Sequence, residues 1–228
     1  MDMGAVRKGV DMGPLAIRHA GLVQRIKDIG YNVTDCGDVV PMVAVSEGDP
    51  SMRYEKEINE SNGRLFNKVL EIHKENSFPV ILGGDHSIAA GSVSATAEHH
   101  GKIGVLWIDA HGDFNDEKIS PSGNIHGMPL SAVCGCGPDS LVSFTEARVD
   151  PKNVAVIGAR DLDPLEAKKL KDMGVTIFSI SDVHTMGIKE VLRDAIDMVE
   201  TNPLLDHRNT TGRLASELIL TCLGKTSY

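Results

Sequence analysis

Apolar and polar positions along the chain switch repeatedly between a period near 3.6 and short continuous apolar runs, the pattern of helices alternating with buried strands of a mainly parallel sheet. Pro14 occupies a favoured first helical position. Leu15, Ile17, Ala20, Val23 and Ile26 follow at roughly helical spacing, which predicts a helix ending near Gly30. Tyr31 to Cys36 reads as a short strand, Ser46 to Ser51 as loop, and about Tyr54 to Glu75 as a long helix. Pro79 to Leu82 and Ile103 to Ile108 are β-rich runs, expected to be neighbouring strands, with a helix between them starting near Ser87. Gly112 to Gly127 has no periodicity and is rich in Asp, Asn, Ser, Pro and Gly. It is expected to form a long loop at the carboxyl end of a strand, where open α/β sheets bind ligands. Asn153 to Ile157 and Val175 to Ile180 add two strands, separated by a helix with Pro164 in its first turn. Ser181 or Thr185 is expected to cap a helix reaching about Glu200, and a last helix is predicted over Thr211 to Leu223. These elements predict a single three-layer α/β/α domain over residues 1–228.

Composition narrows the possibilities without changing that picture. At 228 residues the chain can bury the core of one domain, and 41% hydrophobic with 24% charged residues is ordinary for a globular protein. No apolar run approaches the roughly 20 residues that span a membrane. Met1 to Val10 has no continuous apolar core of a secretory signal, so a cytoplasmic location is expected. A net charge of −9 disfavours nucleic acid or an anionic membrane as partner and suits a small cationic substrate. The four cysteines, Cys36, Cys134, Cys136 and Cys222, lack the Cys-x-x-Cys spacing and are expected to be free thiols.

The chemistry concentrates after two apolar runs. In extended backbone, residues two apart share a face, so Asp109, His111 and Asp113 can converge on one point. Two carboxylates and an imidazole suit a borderline to hard divalent ion such as Mn²⁺, where a structural zinc site would more often recruit thiolates. Read alone, the string is also compatible with a polar turn capping the next helix. Gly83-Gly84-Asp85-His86-Ser87 ends the preceding run, and its glycines permit a tight turn that would bring His86 to the same crevice, with Asp85 orienting the cluster from behind. Asn115, Ser122 and Asn124 are suited to gripping a polar substrate end, and His126 to relaying protons near neutral pH.

These strings together resemble the arginase and agmatinase family of ureohydrolases. Gly-Gly-Asp-His-Ser around His86, Asp-Ala-His-Gly-Asp from Asp109 to Asp113, and Ser122 to Gly127 carry the resemblance. Lys8 to Pro14, Arg160-Asp161-Leu162-Asp163-Pro164 and Asn202 to Asp206 are similar to further arginase motifs, so the likeness spans nearly the whole chain. It implies a binuclear manganese enzyme that hydrolyses L-arginine to L-ornithine and urea, commonly as a homo-oligomer. His86 and Asp113 would serve one ion and His111 the other, with Asp109 bridging them. His126 would shuttle protons and Glu200 would face the guanidinium. Asn115, Ser122 and Asn124 would hold the substrate carboxylate, and Asp163 and Glu166 the α-amino end. Without the resemblance, Asp163 and Glu166 suit equally well a helix amino-terminal pair stabilised by the dipole.

One family motif is absent. Ser-x-Asp-x-Asp-x-x-Asp-Pro, the source of a second bridging carboxylate, has no counterpart here, and the chain passes from Met198 and Val199 straight into Glu200-Thr201-Asn202-Pro203. That leaves one ion with His86, Asp109 and Asp113 and the other with Asp109 and His111 alone. A working arginase, another ureohydrolase such as an agmatinase, and a non-catalytic relative acting through assembly all remain compatible with this pattern.

Overall fold

A computed structural model of the chain describes residues 1–198. Three parallel strands, β1 (Val105–Ile108), β2 (Val154–Ala159) and β3 (Thr176–Ser179), pair in that order, with Val105 opposite Val154 and Ala155 opposite Thr176. Parallel strands need crossovers, and helices supply them. In chain order the helices are α1 (Gly13–His19), α2 (Leu22–Asp28), α3 (Glu55–Lys74), α4 (Ala89–His100), α5 (Pro129–Val133), α6 (Pro164–Met173), α7 (Ile180–Met186) and α8 (Ile188–Met198).

Every side chain of β2 is buried, and the period-2 alternation of the strand divides them between two cores. Val154 and Val156 join Val105 and Trp107 of β1 against Leu130 and Val133 of α5, Leu170 of α6, and Ile58 and Ala90 of α3 and its neighbour α4. Ala155 and Ile157 face the other way, joining Phe178 of β3 and Val191, Leu192 and Ala195 of α8. Helices therefore cover both faces, and the α/β/α arrangement read from the sequence is present.

Individual elements depart from the expectation where tertiary partners decide. The first expected helix is two, because Gly21 takes a left-handed φ of 84° between them; Leu15 and Ile17 keep the helical spacing but stand exposed. Tyr31 to Cys36 and Pro79 to Leu82 form no strand. An apolar run becomes a strand only beside a ladder partner, and among the described residues neither run pairs with one. The long helix and the strands at β1, β2 and β3 agree with expectation within one or two residues. Ser179, not Ser181 or Thr185, caps α7: its Oγ accepts the Asp182 N–H at 3.2 Å, while the Asp182 carboxylate accepts the Ser179 N–H at 2.7 Å. Thr211 to Leu223 lies outside the described residues. Cys36, Cys134 and Cys136 are free thiols, and burial pushes the Cys134 thiol up; Cys222 lies outside the described residues.

The loop after β1 is tied to the strands behind it. Asp109 N–H donates to Ile157 O at 3.1 Å, and Ala110 O accepts from both Arg160 and Asp161 N–H. Further on, the Glu166 carboxylate of α6 is buried and accepts the Phe114 N–H at 2.8 Å and the Asp163 N–H at 3.3 Å. Gly112 makes that approach possible, since a Cβ there would stand 2.8 Å from Leu170 Cδ1 and 3.0 Å from the Glu166 carboxyl carbon.

Two stability outcomes follow. Ile157→Ala should lower the unfolding free energy by about 2–5 kcal/mol in chemical denaturation, whereas Ile17→Ala should stay within about 0.5 kcal/mol. Glu166→Gln turns one acceptor oxygen into a donor facing a backbone N–H, so a loss of about 1–3 kcal/mol is expected in the same assay; no loss would mean that the carboxylate does not brace the loop.

Candidate metal centre

Three segments bring ligand-bearing side chains to the carboxyl end of β1. The first is the turn before α4, where His86 opens a single 3₁₀ turn capped by Asp85. Asp85 does not orient the cluster: one of its oxygens accepts from the Ser87 N–H and hydroxyl and the other from the Gly4 N–H at 3.0 Å, so it clamps residues 1–4 to this turn. The second segment is β1 itself, which delivers Asp109. The third is the loop beyond it. Asp113 there adopts a left-handed φ of 48°, a conformation that costs a non-glycine residue about 1–2 kcal/mol. Its backbone is held on both sides: Asp113 O accepts the Leu130 N–H at 3.1 Å, and the next N–H, of Phe114, is the one bound by Glu166.

The result is a compact donor set. His86 Nδ1 lies 3.0 Å from Asp109 Oδ2 and 2.7 Å from Asp113 Oδ2, and one ligand atom from each of the three lies within 4.8 Å of the others. Burial works against a charge on His86, but the hydrogen bonds and charges of the two carboxylates outweigh it and raise the imidazole to about 9. Burial also opposes ionisation of Asp109, yet hydrogen bonds from His86 and His111 hold its carboxyl well below the usual range. Two carboxylate groups turned to one point beside an imidazole are a donor set for a cation. Imidazole with two carboxylates fits a divalent ion of the manganese type.

His111 stands on the solvent side of this cluster. Its Nδ1 is 3.0 Å from Asp109 Oδ1, the oxygen turned away from His86, and its Nε2 is 3.7 Å from the exposed Asp161 carboxylate. Asp109 thus offers one oxygen to each histidine, the arrangement expected of a bridging ligand. Sequence reading missed Trp107, whose ring stacks on His86 with centroids 4.2 Å apart. Its position two residues before Asp109, on the same strand face, was a usable signal.

The other expected site residues divide by burial. Asn115 and Asn124 are buried, and Asn115 Nδ2 donates to Asp163 Oδ2 at 3.0 Å while its Oδ1 finds no partner among the described residues. Ser122 is exposed and accepts the Asn124 N–H at 3.3 Å; His126 is half-buried, with its N–H donated to Gly4 O. Glu166 differs from the expectation of a substrate contact. It is 3% exposed and each carboxylate oxygen serves a backbone N–H, so it braces the loop that carries Asp113. Burial and the nearby carboxylates raise it to about 6, against the pull of those two N–H groups. Glu200 lies outside the described residues.

The chain is similar to known proteins over most of its length. A family description, "Arginase family", matches residues 1–197. The arginase of Bacillus subtilis (strain 168) is 36% identical over 282 aligned positions, covering 99% of this chain and 95% of that protein. The arginase of Staphylococcus aureus (strain MSSA476) is 44% identical over 202 positions, covering 87% of this chain and 67% of its own length. The crystal structure of arginase from Bacillus cereus superposes with a TM-score of 0.82 at 43% identity, over 88% of this chain and 68% of that one. Because the Bacillus subtilis alignment runs to 282 positions and this chain has 228 residues, that relative carries residues for which this chain has no counterpart. The shared fold, the ordered motifs and the extent of these matches establish that the chain belongs to the arginase family.

Proposed function

We propose that this chain hydrolyses L-arginine to L-ornithine and urea at a manganese centre held by His86, Asp109, Asp113 and His111. The observation that carries the proposal is the convergence of the His86, Asp109 and Asp113 ligand atoms within 4.8 Å of one another at the carboxyl end of the sheet. Bound there, manganese supplies Lewis acidity and a water-derived nucleophile at neutral pH. The chain's own groups do the rest. Asp109 and Asp113 supply carboxylates that would offset the charge of the ion. His126, half-buried on the same loop, carries protons between the reacting group and solvent. Asn115, Ser122 and Asn124 take the substrate carboxylate and Asp163 its α-amino group. Glu166 acts on them through the backbone. Glu200 would face the guanidinium. Assembly into a homo-oligomer and a cytoplasmic location accompany this reading.

Among the described residues, the position beside His111 has only Asp109 as a second close carboxylate, since Asp161 lies on the far side of the ring. With the family's later carboxylate motif absent, that ion should be held more weakly than the one at His86. Elemental analysis after dialysis is therefore expected to find one manganese per chain, with a second acquired only in excess Mn²⁺ and urea release from L-arginine rising with it. Retention of no ion, with no urea formed in excess manganese, would leave a family member without the chemistry. Asp113→Ala should abolish the retained ion.

His126→Asn tests the proton-transfer role separately. It should lower kcat about 100-fold or more while metal content stays at the level of the parent chain. Unchanged kcat would remove His126 from the mechanism.

A further inference from the structure

A second group of imidazoles lies outside the carboxylate centre, where two helices end together. His73 is in the last turn of α3, and His99 and His100 close α4. The ring centroids are 5.1 Å apart for His73 and His99, which are nearly parallel, 4.9 Å for His73 and His100, and 4.6 Å for His99 and His100. His73 is buried, whereas His99 and His100 are exposed.

The protonation of His73 can be read from its partner. The Thr96 hydroxyl donates to Ser92 O at 3.0 Å, and a carbonyl can only accept. With its single proton committed, Thr96 Oγ1 is an acceptor toward His73 Nε2, 3.1 Å away. Nε2 therefore carries the hydrogen and Nδ1 the lone pair. An oxygen that sets the tautomer of a histidine in this way is the usual support of a ligating imidazole. Burial, and then the other two rings, lower the proton affinity of His73; burial and His99 do the same for His100. For His73 and His100 this favours the neutral ring, the form that binds metal. Both helices also direct their negative ends at the cluster, which favours a cation there.

We propose that His73, His99 and His100 form a binding site for a divalent transition metal of the zinc, nickel or copper class, separate from the centre at His86. Three nitrogen donors select these borderline ions over manganese, for which the carboxylate centre is the better host. The rings pack face and edge, so ligation requires His99 and His100 to turn about their side-chain torsions, which their exposure allows. His73, held by Thr96, is the anchored ligand.

Copper(II) alone is the probe, added to the full chain and followed by electron paramagnetic resonance and by titration. Nitrogen couplings from bound copper are expected in the parent chain and in His86→Ala/His111→Ala, which lacks the imidazoles of the other centre. Added to that His86→Ala/His111→Ala background, His99→Ala/His100→Ala should remove that pattern and weaken copper binding at least about 10-fold. Circular dichroism checks the fold of each variant, and the single variants His99→Gln and His100→Gln replace the double one if its helicity falls. Loss of the pattern in His86→Ala/His111→Ala, or its survival at full affinity when His99 and His100 are replaced, would overturn the proposal.

Discussion

The Glu166 carboxylate occupies the junction on which the metal centre depends. It leaves the first turn of α6, passes over Gly112 where no side chain stands in the way, and accepts the N–H groups of Phe114 and Asp163. One buried group thereby joins the loop after β1 to the loop after β2. Asp113 lies immediately before Phe114 and holds a left-handed backbone that a free loop would abandon. Burying a carboxylate is costly unless hydrogen bonds satisfy it, and the rise of Glu166 to about 6 reflects that cost being only partly met by its two backbone donors.

The electrostatics of the centre follow from the same bracing. Once Asp113 is placed beside Asp109, two carboxyl groups share one small volume, with His86 Nδ1 within 3.0 Å of both. Trp107 stacks against that imidazole and shields it on one side, while His111 leaves the other side open to solvent. The site is thus built from a rigid floor, formed by β1 and its hydrogen bonds to β2, and an accessible rim. A cation-binding centre at the carboxyl end of a parallel sheet is where strand geometry places ligand sites in this class of fold.

The family match covers residues 1–197, and among the described residues the donors that converge are His86, Asp109 and Asp113. Among the described residues Asp109 contacts both histidines, whereas Asp113 contacts His86.

Much of this was legible from residue order. Periodicity located α3, β1, β2, α6 and β3, because those segments bury a face and their patterns record it. The string Asp109 to Asp113 marked a ligand-bearing loop, but not through extended alternation: β1 ends at Ile108, Asp113 is left-handed, and it meets His86 and Asp109 while His111 sits at the other oxygen of Asp109. Asp163 and Glu166 carried the signature of a helix start, and for Glu166 that reading describes its hydrogen bonds better than a substrate contact does. Sequence alone could not decide Tyr31 to Cys36 or Pro79 to Leu82, because strand formation is a property of a pair, and a single run does not state whether its partner is there. Nor could it place His73 beside His99 and His100: those residues are distant along the chain, and only the packing of α3 against α4 brings three imidazoles to one point. Local order determined which residues can bind; the tertiary structure decided which of them meet.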